Sequence, residues 1–199
     1  HAQLVTPGQL AELKELGILP SFFAAHLWYW GDVHRENLGP RRAASISPLA
    51  AAVRLGLPFT LHQDTPVIAP NMLESIWCAV NRITRNVLGP EYRISAYEAL
   101  KAVTVHAAWQ YALEGERGSL APGKTADLVL LDRDPTAVEP MAIRDIRVLE
   151  TIREGETLYH TMQARPGPMS ALSPGEAWAG RQYRGMDSPW RTEYLTLLL

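Results

Sequence analysis

Asp64 is the carboxylate in this sequence best placed to do chemistry. It follows the apolar run Leu57-Pro58-Phe59-Thr60-Leu61 and the polar pair His62-Gln63, and Thr65-Pro66 turns the chain immediately after it. A buried parallel strand looks like this where it delivers polar groups to the end of a sheet. Side chains alternate along a strand, so Thr60, His62 and Asp64 are expected on one face and Phe59 and Leu61 on the other. An aspartate at the C-terminal end of such a strand suits a metal ligand or a general base, with a histidine close behind it. The same residues also fit a plainer role, Asp64 capping the turn and His62 packed beside it.

A second polar end occurs earlier. Residues 18–23 read as a strand that runs into Ala24-Ala25-His26, followed by Trp28-Tyr29-Trp30. Aromatic side chains on a loop at the active end of a sheet commonly form substrate walls, and packing within the loop would use them equally well. His34 and His160 read as solvated surface residues, and His106, in the helical stretch 103–111, as a helix-packing histidine. Cys78 sits in the apolar helical stretch 76–80 and reads as a buried structural thiol rather than a nucleophile. As the single cysteine it excludes an internal disulfide and fits a reducing, cytoplasmic compartment.

One pattern points elsewhere. Gly118-Ser119-Leu120-Ala121-Pro122-Gly123-Lys124-Thr125 satisfies G-x-x-x-x-G-K-[ST], the phosphate-binding loop of nucleotide hydrolases. That loop works between a strand and a helix, where backbone N–H groups and the helix dipole meet the phosphates. Here a helix precedes, the β-rich segment 126–131 follows, and Pro122 removes one N–H. The segment is expected to be a turn.

The elements that must position these groups alternate. Thr6-Pro7 opens a helix as N-cap and first residue, Leu10, Leu13 and Leu16 give it an apolar face, and Gly17 ends it. A loop rich in Gly, Pro and Arg is expected after Asp32, then a second helix from Ser47-Pro48 through Leu55, closed by Gly56. Helix, glycine, strand and polar end therefore occur twice, as Leu16-Gly17-Ile18 and Leu55-Gly56-Leu57. Two consecutive αβ units with short connections imply a parallel sheet, with His26 and Asp64 in comparable places. Helices are expected over residues 71–85 and from the capping box Ser95-Ala96-Tyr97-Glu98 to about Leu113. Short strands follow at 126–131, 146–152 and 157–159, the last two flanking the turn Arg153-Glu154-Gly155-Glu156. Three parts result: residues 1–114, 115–160, and a Pro- and Gly-rich, poorly ordered tail, 161–199, whose Trp178, Tyr183, Trp190 and Tyr194 could dock on a partner surface.

Composition excludes some classes of function. A formal net charge of −2, from 19 basic and 21 acidic residues among 199, gives no footprint for nucleic acid or an anionic membrane. No apolar run approaches the roughly 18 residues needed to span a bilayer, and no signal peptide is visible. A chain that opens at His1 rather than Met reads as incomplete or processed at its N-terminus.

Three stretches, in order, carry a resemblance. His1-Ala2-Gln3, then Ser21-Phe22-Phe23-Ala24-Ala25-His26 through Tyr29-Trp30-Gly31-Asp32, then Phe59-Thr60-Leu61-His62-Gln63-Asp64-Thr65-Pro66-Val67 resemble the sixth, seventh and eighth strand ends of the YtcJ-like, or amidohydrolase family 3, enzymes. The segment 118–129 resembles the return from their barrel into a small β-sandwich. The resemblance spans about residues 1–160 and implies an α/β fold: the last strands and helices of a (β/α)8 TIM barrel plus part of a small β-sandwich.

It also implies roles. His1 and Asp64 would be metal ligands, with Asp64 the catalytic base toward the attacking water. His62 would stand behind Asp64 and fix its orientation. His26, Trp28, Tyr29 and Trp30 would line the substrate pocket. Bottom-up chemistry agrees, since a His nitrogen and an Asp oxygen suit Zn²⁺, which lowers the pKa of bound water towards about 7. The implied activity is metal-dependent hydrolysis of a non-peptide C–N bond, amide or cyclic amide, in a small-molecule substrate. The family's His-x-His on the first strand and its ligands on the fourth and fifth have no counterpart here, so the expected partner is the missing N-terminal part of the same polypeptide, and the chain alone is expected to be inactive. A non-catalytic αβ scaffold or partner-binding module is the alternative.

Overall fold

Thr6 starts the first helix, α1 (Pro7–Glu15), through a reciprocal cap: Gln9 N donates to Thr6 Oγ1 (3.3 Å) and Thr6 N donates to the Gln9 side chain (2.9 Å). The computed structural model describes residues 1–161 and 196–198, so the expectations for the tail fall almost wholly outside the described residues. The chain turns after α1 through Gly17 (φ 66°) into β1 (Ser21–Phe22). Helix α2 (His26–Ala44) follows directly, where the sequence suggested a loop. Gly31 marks close packing there rather than a turn, because a Cβ on it would stand 2.9 Å from Thr84 Cβ. The helical run is broken only at Gly39, at φ 74° ahead of Pro40.

The second unit repeats the first. Helix α3 (Leu49–Leu55) ends at Gly56 (φ 61°) and leads into β2 (Thr60–Leu61). β1 and β2 pair in parallel, Ser21 with Thr60 and Phe22 with Leu61. Thr60 N and His62 N donate to Pro20 O and Phe22 O, both at 3.0 Å. Lys14 of α1 donates to Leu55 O at 2.6 Å, satisfying a carbonyl that the end of α3 leaves open. Of the apolar face expected on α1, Leu10 is buried and Leu13 packs against the core, whereas Leu16 is 71% exposed.

Helix α4 (Met72–Asn81) buries every residue from Ser75 to Asn81, so it is covered on all sides. The expected helix after Ser95 is two, α5 (Ala96–Val103) and α6 (Val105–Gln110), separated by Thr104 at φ −126°, ψ −92°. One core joins these elements around Phe22, Phe23, Phe59, Ile76 and Trp77. Arg82 is fully buried over the Tyr92 ring and donates to four carbonyls: Ile46 (2.7 Å), Ser47 (2.8 Å), Leu88 (2.9 Å) and Ala44 (3.3 Å). Burial lowers its pKa to about 10, which leaves it charged at neutral pH. It thereby fixes the α2–α3 connection, whose Ser47 N donates to Gln3 O at 2.8 Å and anchors the first residues.

The remaining strands are antiparallel. β3 (Leu128–Leu131), β4 (Val148–Arg153), β5 (Glu156–His160) and β6 (Thr196–Leu198) form a sheet of order β5-β4-β3-β6. Glu154 (φ 52°) and Gly155 (φ 84°) make the expected hairpin turn. The fold is mixed α/β. Among the described residues no helix is long and apolar enough to cross a membrane.

Candidate functional site

The parallel pairing of β1 and β2 brings four distant residues to one end of the sheet. His62, just past β2, has both ring nitrogens engaged: Nδ1 lies 2.7 Å from Ser21 Oγ and Nε2 lies 2.8 Å from His1 Nδ1. The other nitrogen of His1, Nε2, faces Asp64 Oδ2 at 3.5 Å. The two imidazoles stack, with centroids 4.9 Å apart and planes 29° off parallel, and Phe23 stands edge-on to His1 at 5.3 Å. His62 thus contacts Ser21 and His1 directly and reaches Asp64 through His1.

Asp64 reaches this place by a turn and not by the strand's alternation. The paired strand ends at Leu61, and Asp64 adopts φ 54°, a left-handed conformation that Asp tolerates better than most residues. Gln63 fixes the turn. It is buried and exchanges hydrogen bonds with the backbone of Asn71, which donates to Gln63 Oε1 at 2.7 Å and accepts from Gln63 Nε2. Asn71 also caps α4. The carboxylate is therefore exposed while its backbone is held on the next helix.

His26, the first residue of α2, contributes a second row. Its Nδ1 lies 3.2 Å from His34 Nε2, the rings stacked 12° from parallel, and Gln3 Nε2 donates to His34 Nε2 at 2.9 Å. His34, expected at the surface, is half-buried within this row. Burial pushes His26, His34 and His62 below the usual imidazole pKa, and His34 pushes His26 down further. They are neutral donors and acceptors near pH 7, not cations.

The three aromatics after His26 diverge, because helical spacing points successive side chains in different directions. Trp30 packs on His26 (centroids 4.7 Å apart) and so faces the cluster. Trp28 turns to Trp77 (5.2 Å), and Arg144 caps both rings, 5.2 Å from Trp28 and 4.6 Å from Trp77. Tyr29 donates to Glu74 Oε1 at 3.0 Å. His106 packs as expected, its Nδ1 3.1 Å from Phe59 O. Cys78 is buried, and burial drives its thiol pKa up, so it is not a nucleophile at neutral pH.

The phosphate-loop pattern does not make a phosphate site. A strand, β3, follows it, and Lys124 Nζ is spent on its own surroundings: Glu114 O (2.6 Å), Ser119 Oγ (2.6 Å) and Arg117 O (3.1 Å).

Two donors bound to a tetrahedral Zn²⁺ stand about 3.4 Å apart. His1 Nε2 and Asp64 Oδ2, at 3.5 Å, fit two adjacent corners. Among the described residues no group of three or more His, Cys, Asp or Glu could hold a metal, so these two are a partial ligand set.

Sequence reasoning missed Ser21, Gln63 and Arg82. A signal for Ser21 was present: sliding the first unit onto the second so that Gly17 meets Gly56 sets Ser21 against Thr60, the observed register. The same offset places Ala25, not His26, opposite Asp64. No local pattern marks Arg82, because its partners lie on distant carbonyls.

Known proteins resemble this chain over most of its length. Residues 1–159 match the model of the amidohydrolase family. An N-substituted formamide deformylase of Arthrobacter pascens is 30% identical over 162 residues, 80% of this chain and 30% of that protein. The YtcJ protein of Bacillus subtilis (strain 168), an amidohydrolase by name, is 28% identical over 129 residues, 62% of this chain and 24% of the relative. A metal-dependent hydrolase from Pyrococcus horikoshii OT3, itself uncharacterized, superposes with a TM-score of 0.61 at 25% identity, covering 70% of this chain and 29% of that one. The chain thus spans less than a third of each of these relatives.

Proposed function

The chain belongs to the amidohydrolase family, and from that premise we propose that it is the C-terminal part of a metal-dependent hydrolase of non-peptide C–N bonds. Residues 1–114 supply the last strands and helices of a (β/α)8 barrel, and residues 115–160 part of a β-sandwich. The observation that carries this reading is the 3.5 Å approach of His1 Nε2 to Asp64 Oδ2 at the shared end of two parallel strands. Ligands of catalytic sites in barrels of this kind gather at the C-terminal ends of strands.

His1 and Asp64 would hold a divalent metal, by chemistry Zn²⁺. Held there, it would supply the acidity that makes water a nucleophile near neutral pH. Asp64, exposed beside His1, takes the water's proton as general base and returns it to the leaving nitrogen, which would otherwise depart as an unstable amide anion. His26 and Trp30 offer the substrate a neutral polar edge next to an aromatic face. The deformylase relative supports a small amide as substrate. Three protein ligands are usual for catalytic zinc, so the rest of the set comes from the polypeptide that completes the barrel.

Metal analysis of the intact polypeptide, with turnover of N-substituted formamides, tests the reading. Near-stoichiometric zinc and amide cleavage are expected. An intact polypeptide with neither would leave a non-catalytic αβ scaffold, and tight zinc with turnover from these 199 residues alone would refute the incomplete ligand set.

A further inference from the structure

The three-group chain Ser21–His62–His1 has a property that none of its members has alone. A neutral imidazole carries one proton on two nitrogens, so in a nitrogen-to-nitrogen hydrogen bond one ring donates and the other accepts. His62 lies between a hydroxyl at Nδ1 (2.7 Å) and a ring nitrogen at Nε2 (2.8 Å), and with both rings neutral only two proton arrangements satisfy both contacts. In the first, Ser21 donates to His62 Nδ1, His62 Nε2–H donates to His1 Nδ1, and His1 presents an N–H to Asp64. In the second, His1 Nδ1–H donates to His62 Nε2, His62 Nδ1–H donates to Ser21 Oγ, and His1 presents a lone pair to Asp64.

The contact between His1 and Asp64 decides between them. An N–H facing the carboxylate is favourable with nothing in between. A lone pair facing it is favourable only around a cation. Cation binding therefore requires the second arrangement, in which Ser21 must accept a hydrogen bond where it otherwise donates one. A hydroxyl can do both, while a methyl group can do neither. Asn or Asp could not fill the position in the same way, because the amide's donor and acceptor are separate atoms and the ionised carboxylate has no donor.

We propose that Ser21 is a positioning residue that, through His62, lets either nitrogen of His1 carry the lone pair, so that cation binding and the proton register of this chain are coupled. This rests on the reading of His1 and Asp64 as metal ligands. Ser21 touches neither the cation nor the substrate. It sits on β1 directly opposite Thr60, so its distance from His62 is set by the register of two paired strands rather than by a loop.

Ser21→Thr and Ser21→Val in the intact polypeptide test the proposal, because the two replacements have nearly the same shape and differ in the hydroxyl. Zinc affinity is read by competition with a chromophoric chelator, and the imidazole tautomers by nitrogen-15 NMR of histidine-labelled protein. Ser21→Thr is expected to keep wild-type affinity, and Ser21→Val to bind zinc at least about tenfold more weakly, the usual cost of losing a partner behind a ligating histidine. Zinc should move the His62 proton to Nδ1 in wild type and Ser21→Thr, and fail to do so fully in Ser21→Val. Equal affinities and equal tautomers in Thr and Val variants overturn the role of Ser21 while leaving the metal reading intact. A wild-type protein that takes up no zinc overturns the metal reading, and this inference with it.

Discussion

The α1–β1 and α3–β2 units close with the same glycine geometry, Gly17 at φ 66° and Gly56 at φ 61°, and their strands lie in register, yet they deliver different chemistry by different means. The first strand runs straight into a helix, so His26 is placed by α2 and reaches the cluster as a neutral ring beside Trp30. The second runs into a left-handed turn, so Asp64 is placed by its own backbone and by Gln63, which is buried and tied to Asn71. The same frame thus carries a neutral imidazole beside an aromatic ring after one strand and an exposed acid after the other. A helix start fixes a side chain through many local hydrogen bonds. A turn fixes it through a few distant ones, which leaves the carboxylate open to solvent and ligand.

The largest test of that contrast is in activity. On the proposed function, Asp64→Asn should lower kcat of the intact polypeptide by about 10²–10⁴-fold, the range for loss of a general base. His26→Ala should act mainly on KM; a kcat loss matching that of Asp64→Asn would erase the distinction between acid and imidazole.

Arg82→Met tests what holds the two units together. It leaves the carbonyls of Ala44, Ile46, Ser47 and Leu88 without their donor. We expect a loss of roughly 3–5 kcal/mol, the scale for stripping the partner from a buried polar network, measured by denaturant unfolding. A loss under about 1 kcal/mol would mean that solvent replaces Arg82 there.

Gln63→Leu keeps bulk and removes the exchange with Asn71. It should cost about 1–3 kcal/mol and lower turnover more than stability alone explains, since Asp64 is the next residue. Unchanged turnover would show that the turn holds itself.

The smallest effects should be equal. Gly17→Ala and Gly56→Ala each force an alanine to positive φ, at about 1 kcal/mol. A Cβ at Gly17 meets nothing within 4 Å, and one at Gly56 meets only Lys14 Nζ at 3.9 Å. Thermal unfolding that separates the two clearly would break the equivalence of the units.

Some of this frame was legible beforehand and some was not, for identifiable reasons. The cap at Thr6, the glycine closures and the Glu154-Gly155 turn were readable because each is settled within a few residues. Much of α2 reads as a loop in sequence because Gly39 and Pro40 look like breakers. Gly31 is there for the approach of Thr84, a contact that only packing creates. The expected alternation of Thr60, His62 and Asp64 assumed a longer strand than the two residues that pair. His34 reads as solvated when its segment is taken for a loop, since its contact with His26 needs the turns of α2 and its contact with Gln3 needs tertiary packing.

By itself the sequence determined the alternation of helices and strands, the parallel relation of the two units and the presence of an acid and a histidine at the end of the second. Those features follow from periodicity, capping and backbone preference, which act between residues a few positions apart. The tertiary structure alone decided that Ser21 and His62 join His1 and Asp64, that His62 contacts His1, and that Arg82 is buried among backbone carbonyls. His1 and His62 are 61 positions apart, and Ser21 and His62 are 41 apart. Contacts at that separation exist only once β1 and β2 have paired and the core beneath them has closed.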